Sequence, residues 1–87
     1  MIVMKQKVIV QFLNEINGMQ MDLEIPVDIT ANELIMALDY SFHLGIDFNN
    51  ETECHMVSEN PTVLLIGEQT IEEAGINDGS VIIYKGK

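Results

Sequence analysis

Cys54 and His55 are adjacent in the sequence, and a second imidazole, His43, precedes them. A thiol beside an imidazole is the raw material of an activated nucleophile, and both are zinc ligands. Neighbouring side chains of a strand, however, point to opposite faces. The alternation from Glu53 to Ser58 sets Cys54 and Met56 against His55 and Val57, so the two groups do not converge. Cys54 is expected inward, as a small core hydrophobe. A His43–His55 metal pair lacks further ligands. Asp47, Asn49, Glu51 and Glu53 alternate in a way that faintly echoes calcium ligation. An EF-hand loop needs glycine at its sixth position and glutamate at its twelfth. Counted from Asp47, those positions hold Thr52 and Ser58, which favours a solvated loop. Glu72-Glu73 reads as a charge pair favoured by a helix N-terminus. There is no glycine-rich phosphate loop and no nucleophile elbow. No catalytic residue, metal or cofactor is expected.

Composition narrows the partners. The 87 residues include 14 acidic and 4 basic side chains, for a formal charge of −10. All four basic residues are lysines, Lys5, Lys7, Lys85 and Lys87, near the two ends. Phosphate binding requires clustered cations, so nucleic acid is excluded as a partner class, and anionic membrane surfaces are disfavoured. The acidic remainder suits a basic or amphipathic protein surface. A hydrophobic content of 47% is too high for a disordered acidic tail. The length suits one domain, residues 1–87, with one modest core. A single cysteine forms no intramolecular disulfide and needs no oxidising compartment. Met1 to Lys5 shows no signal-peptide pattern. No apolar run approaches the ~18 residues of a membrane-spanning helix. A cytoplasmic protein without direct membrane insertion is expected.

Periodicity supplies the elements. In Lys5 to Leu13, Val8, Val10 and Phe12 alternate with Lys7, Ile9 and Gln11, as in a strand with one strongly apolar face. Asn17-Gly18 is turn chemistry. Met19, Met21, Leu23 and Ile25 then alternate with Gln20, Asp22 and Glu24, and Pro26 closes this second strand. The two should form an antiparallel hairpin. Thr30-Ala31-Asn32-Glu33 is a capping box. Leu34, Ile35, Leu38 and Phe42 follow at helical spacing. The helix is expected from Ala31 to Leu44, with Gly45 as its C-cap. A polar loop from Asp47 leads to a strand over Glu53 to Ser58. Glu59-Asn60-Pro61 turns the chain into a short apolar strand, Thr62 to Ile66. Thr70 to Ala74 suggests a single helical turn, and Ser80 to Lys85 a last strand.

This order, with the segment TIEEAGINDGSVIIY over Thr70 to Tyr84, resembles the β-grasp fold of ubiquitin. The resemblance implies an α+β fold with a mixed sheet in the order 2-1-5-3-4 on one principal helix. Ile71 and Ile76 would plug the bottom of the core. Gly75 and Gly79 would adopt backbone shapes that a side chain forbids. The run KVIVQF, the Asp- and Asn-bearing loop after the helix and the ending AGINDGSVIIY are similar to YukD/EsaB-like ubiquitin-like proteins. That family is associated with type VII (WXG100, ESX-like) secretion systems. The resemblance implies a non-catalytic cytoplasmic accessory or regulatory protein that contacts a secretion-machine component. An orphan ubiquitin-like adaptor is the alternative. A modifier or sulfur carrier is disfavoured because only Gly86 and Lys87 follow the last strand, with no Gly-Gly. A small enzyme using Cys54 or a carboxylate pair is a third class.

The expected working parts are therefore surfaces. A β-grasp helix leaves one sheet face open. If Val8, Val10 and Phe12 face the helix, Ile9 and Leu13 face out. With Ile82 and Tyr84 inward, Val81 and Ile83 point outward, and Val57 joins them from the neighbouring strand. Ile9, Val57, Val81 and Ile83 then form one exposed apolar patch; otherwise they are scattered exposed residues, or a one-residue slip inverts the faces. Met36, Tyr40 and His43 form a second candidate, on the helix opposite the Leu34/Leu38/Phe42 stripe. Adaptable protein contact and partial burial under the following loop are both open there. Oligomeric state is not legible.

Overall fold

The computed structural model describes residues 7–86. Strands β1 (Lys7–Asn14) and β2 (Met19–Pro26) form the hairpin. Helix α1 (Ala31–Phe42) follows, then a 3-10 turn at Glu51–Glu53, and strands β3 (His55–Glu59), β4 (Val63–Ile66) and β5 (Val81–Tyr84). The sheet order is β2-β1-β5-β3-β4, with β1 and β5 parallel at its centre and the other pairings antiparallel. This is the β-grasp arrangement. Lys5 and Gln6, expected at the start of the first strand, lie outside the described residues, as does Lys87.

The local chemistry explains the boundaries. The Glu33 N–H donates to Thr30 Oγ1 at 3.0 Å, and Glu33 Oε1 accepts from the Thr30 N–H at 2.9 Å. These two bonds satisfy helix-end groups that otherwise lack partners. Thr70 and Glu73 repeat the device at the turn before β5, at 3.0 and 2.9 Å. Gly75 and Gly79 flank the next turn, Ile76-Asn77-Asp78, at φ +81° and +89°, the left-handed region that glycine enters freely. The helix ends at Phe42 rather than Leu44. His43, not Gly45, is the C-cap, in a left-handed conformation at φ 54° and ψ 52°, with its N–H donating to the Asp39 carbonyl. Asp39 Oδ1 then accepts from the Ile46 N–H at 2.9 Å, which draws the chain back across the helix end. The third strand begins at His55 because the Asp47–Cys54 segment forms its own turns, with Asn50 capping the 3-10 turn.

The core lies between α1 and one sheet face. Val8, Val10, Phe12, Ile35, Met56, Leu65 and Ile82 meet there, with Ile71 and Ile76 closing one end. Phe12 stacks on Phe42 with ring centroids 5.2 Å apart. Tyr84 is buried, and its hydroxyl donates to the Leu44 carbonyl at 3.4 Å. The alternation of β2 is less productive than its sequence implies. Ile25 is buried, but Met21 is 41% exposed. The cause is the position of the helix, which approaches β3 and β4 most closely and leaves the β2 edge thinly covered.

Two outcomes are expected. Phe12→Ala should cost about 3–5 kcal/mol in chemical denaturation, because it empties a fully enclosed site, whereas Met21→Ala should cost less than about 1 kcal/mol. The Glu73 carboxyl is held below its ordinary value, first by the Thr70 backbone N–H and then by the Thr70 hydroxyl. A depressed carboxylate adds stability above its unfolded value and loses it as pH falls through the folded one. Glu73→Gln should therefore be less stable than wild type at pH 7. The gap should close as pH drops below about 4.3, read from melting temperatures across pH.

Candidate protein-binding surfaces

Sheet register decides which apolar side chains share the open face. The ladders pair Leu13 with Ile83, Ile83 with Val57, and Val57 with Leu64. Paired residues point to the same side, so these four form one row across β1, β5, β3 and β4. Val81 lies two residues from Ile83 on the same side, and Ile9 sits diagonally from Val81 on β1. Ile9 is 54% exposed and Leu64 48%, while Leu13, Val57 and Val81 are half-buried. The four residues expected on this face, Ile9, Val57, Val81 and Ile83, are on it. Ile83 is nonetheless not an exposed residue. It is 4% exposed, on the central strand between Leu13 and Val57, and it belongs to the floor of the face. Ile83→Asp would place a carboxylate among apolar neighbours and unfold the protein rather than probe its surface. Leu64 and Ile66 extend the apolar face but escape sequence reading. The run Val63-Leu64-Leu65-Ile66 is apolar throughout, so alternation gives no direction; only pairing with β3 turns Leu65 inward and Leu64 outward.

The helix side carries the second candidate surface. Met36 is 53% exposed and Tyr40 84%, so the loop after the helix does not bury them. His43 is exposed too; it is the left-handed cap, and with Asp39, Tyr40 and Gly45 it lines a shallow hollow at the helix end. Met36 instead faces the loop. Together with Asn32, Phe48, Glu51, Cys54, Ile66 and Gly67 it lines a groove of about 420 Å³ between α1, the Asp47–Cys54 loop and the end of β4. Phe48 stands in a loop that reads as polar, which hides it from sequence inspection.

Cys54 is half-buried and packs against the core from the end of the 3-10 turn, before the strand rather than within it. Its Sγ lies 3.4 Å from the Asn50 carbonyl and 3.6 Å from that of Asp47. Burial pushes the thiol up from its ordinary value, and Asp47, Glu53 and Glu51 push it the same way. A thiolate nucleophile requires the opposite environment. The loop carboxylates are engaged in its turns: Asp47 Oδ1 accepts from the Asn49 N–H at 2.9 Å, and Glu53 Oε2 from Asn50 Nδ2 at 3.1 Å. Among the described residues, no three His, Cys, Asp or Glu side chains are placed to hold a metal ion. No helix among them is long and apolar enough to cross a membrane. Lys7 and Lys85 lie at opposite ends of the parallel β1–β5 pair, with Lys7 3.8 Å from Glu24; Lys5 lies outside the described residues.

The β-grasp sheet on one principal helix defines a ubiquitin-like fold. The chain matches the family described as "WXG100 protein secretion system (Wss), protein YukD" over residues 8–83. It belongs to that YukD family, and is thereby associated with the type VII secretion system. No curated protein matches it.

The state of the thiol is directly measurable. Alkylation of native Cys54 by iodoacetamide at pH 8 should be slower than that of free cysteine and should still be rising at pH 9. A rate at or above that of free cysteine, with a plateau near neutrality, would indicate a thiolate environment.

Proposed function

We propose that this protein is a non-catalytic, cytoplasmic accessory component of a WXG100 secretion system that works by docking a protein partner. Family membership supports the pathway. The observation that carries the docking is the apolar row over Leu13, Ile83, Val57 and Leu64, continued by Val81 and Ile9 on the open sheet face. Burying such a face removes apolar area from water at roughly 25 cal/mol per Å². Ile83 fixes the floor, while Ile9, Val57 and Leu64 are the side chains a partner would touch. The charge of −10 adds steering toward a partner of opposite sign.

Complementation tests this reading. Deleting the gene should reduce secretion of WXG100 proteins, and the wild-type gene should restore it. Cys54→Ser should restore it equally, because the thiol does no chemistry. Ile9→Lys with Val57→Lys, checked for native melting, should fail to restore it. Loss of secretion with Cys54→Ser, or full rescue by the double lysine variant, would overturn the proposal.

A further inference from the structure

We infer that the outer edge of β4, with the groove beside it, accepts an extended segment of a partner protein as an added strand, and that this segment is rich in lysine or arginine. The inference rests on the reading that the protein acts by contact, and it assigns a second surface, distinct from the Ile9–Val57 region of the open face.

The two sheet edges differ. β2 is long, carries exposed Gln20, Asp22 and Glu24, and ends in a proline. Charge and proline are the usual means of blocking strand addition. β4 has neither: its residues are Val63, Leu64, Leu65 and Ile66, and it pairs only with β3 among the described residues. The helix start closes off the chain just beyond it. The Asn32 N–H donates to the Gly67 carbonyl at 2.9 Å, and the Ala31 N–H to that of Gln69 at 2.8 Å. The available edge therefore runs from Val63 to Ile66. Strand addition draws affinity from main-chain hydrogen bonds and specificity from side-chain pockets. The groove lies at the Ile66 end of this edge, walled by Met36, Phe48 and Ile66 from three separate elements. An apolar side chain of the added strand would enter it, and the unbranched Met36 thioether can adjust to its shape.

Charge selects the occupant. From Val8 to Tyr84 the sequence contains no lysine or arginine. Glu51 lines the groove, while Glu33 and Glu68 flank it in the sequence next to Asn32 and Gly67. Two copies joined edge to edge would each bring a charge of −10, so repulsion opposes a β4–β4 dimer. A segment alternating apolar and basic residues satisfies the edge, the groove and the charge together.

The test is a titration of the isotope-labelled full chain with a synthetic peptide alternating valine and lysine around a central leucine. Amide shifts and added hydrogen-exchange protection should centre on residues 63–66, with shifts at the Met36 methyl. Affinity should fall as salt rises toward about 0.5 M. Met36→Lys with Phe48→Ala should weaken binding about tenfold or more, while Ile9→Lys, on β1 and separated from β4 by two strands, should leave it unchanged. Ile66→Lys, at an exposed site, replaces the first pair if that pair melts early. Perturbation centred on β2 or on Ile9 and Val57, absence of binding, or a peptide-free dimer through β4 would overturn the inference. In secretion complementation, rescue by Met36→Lys/Phe48→Ala together with failure of Ile9→Lys/Val57→Lys would sink this surface and leave the accessory role standing. Gene deletion without effect on secretion would instead sink the role.

Discussion

The parallel pairing of β1 with β5 sets the identity of both faces of the molecule. Gln11 lies beside Val81, Phe12 beside Ile82, Leu13 beside Ile83 and Asn14 beside Tyr84. A slip of one residue in β5 against β1 would carry Ile82 to the open face and bring Ile83 under the helix beside Phe12. Burial alone would resist that slip weakly, because both faces of β5 are apolar. The register is pinned by polar groups at the start of the ladder. The Ile9 N–H donates to Asp78 Oδ1 at 2.8 Å, the Gly79 N–H donates to the Ile9 carbonyl at 3.0 Å, and the Gln11 N–H donates to that of Ser80 at 2.9 Å. The polar turn Asn77-Asp78-Gly79 thus specifies which isoleucines become core.

Two buried hydroxyls extend this control to the other half of the sheet. Ser80 is fully buried; its Oγ accepts from the Asn77 N–H at 3.0 Å and donates to the Asn60 carbonyl at 2.6 Å. Ser58, equally enclosed, donates to the Pro61 carbonyl at 2.9 Å. Together they fasten the β3–β4 turn to β3 and to the start of β5. A buried hydroxyl without partners destabilises, whereas one that joins two backbone segments sets their spacing. No buried side-chain polar atom among the described residues lacks a partner. The apolar row on the open face depends on this fastening, since Val57 and Leu64 reach Ile83 only when β3 keeps its place beside β5.

Much of this was legible because local and global signals agree. The capping box at Thr30, the alternation of Val8, Val10 and Phe12, and the paired glycines around Ile76 each point to one conformation, while the order of the sheet follows from the resemblance to the β-grasp fold. Legibility stopped where a residue's role depends on what lies across from it. Ile83 alternates outward correctly, yet two flanking strands enclose it, and alternation carries no information about enclosure. Met21 alternates inward, yet the helix does not reach it. His43 continues the helical spacing, yet Asp39 draws the chain away first. The groove was invisible for a further reason: Met36, Phe48 and Ile66 come from a helix, a loop and an edge strand, and no single periodicity links them.

The charge distribution accounts for the survival of so apolar an edge. β4 offers unblocked backbone and aliphatic side chains, the combination that leads strands of neighbouring molecules to pair. Its own four residues supply no protection. Protection comes instead from the whole chain, whose lysines are confined to its two ends while its acids are spread along its length. Between identical copies that distribution is repulsive on balance, so edge-to-edge association is opposed without a charge on the edge itself. Toward a cationic segment the same field is attractive. On the proposed docking, this single electrostatic feature would discriminate between a second copy and a basic partner and leave the apolar surface free to supply affinity.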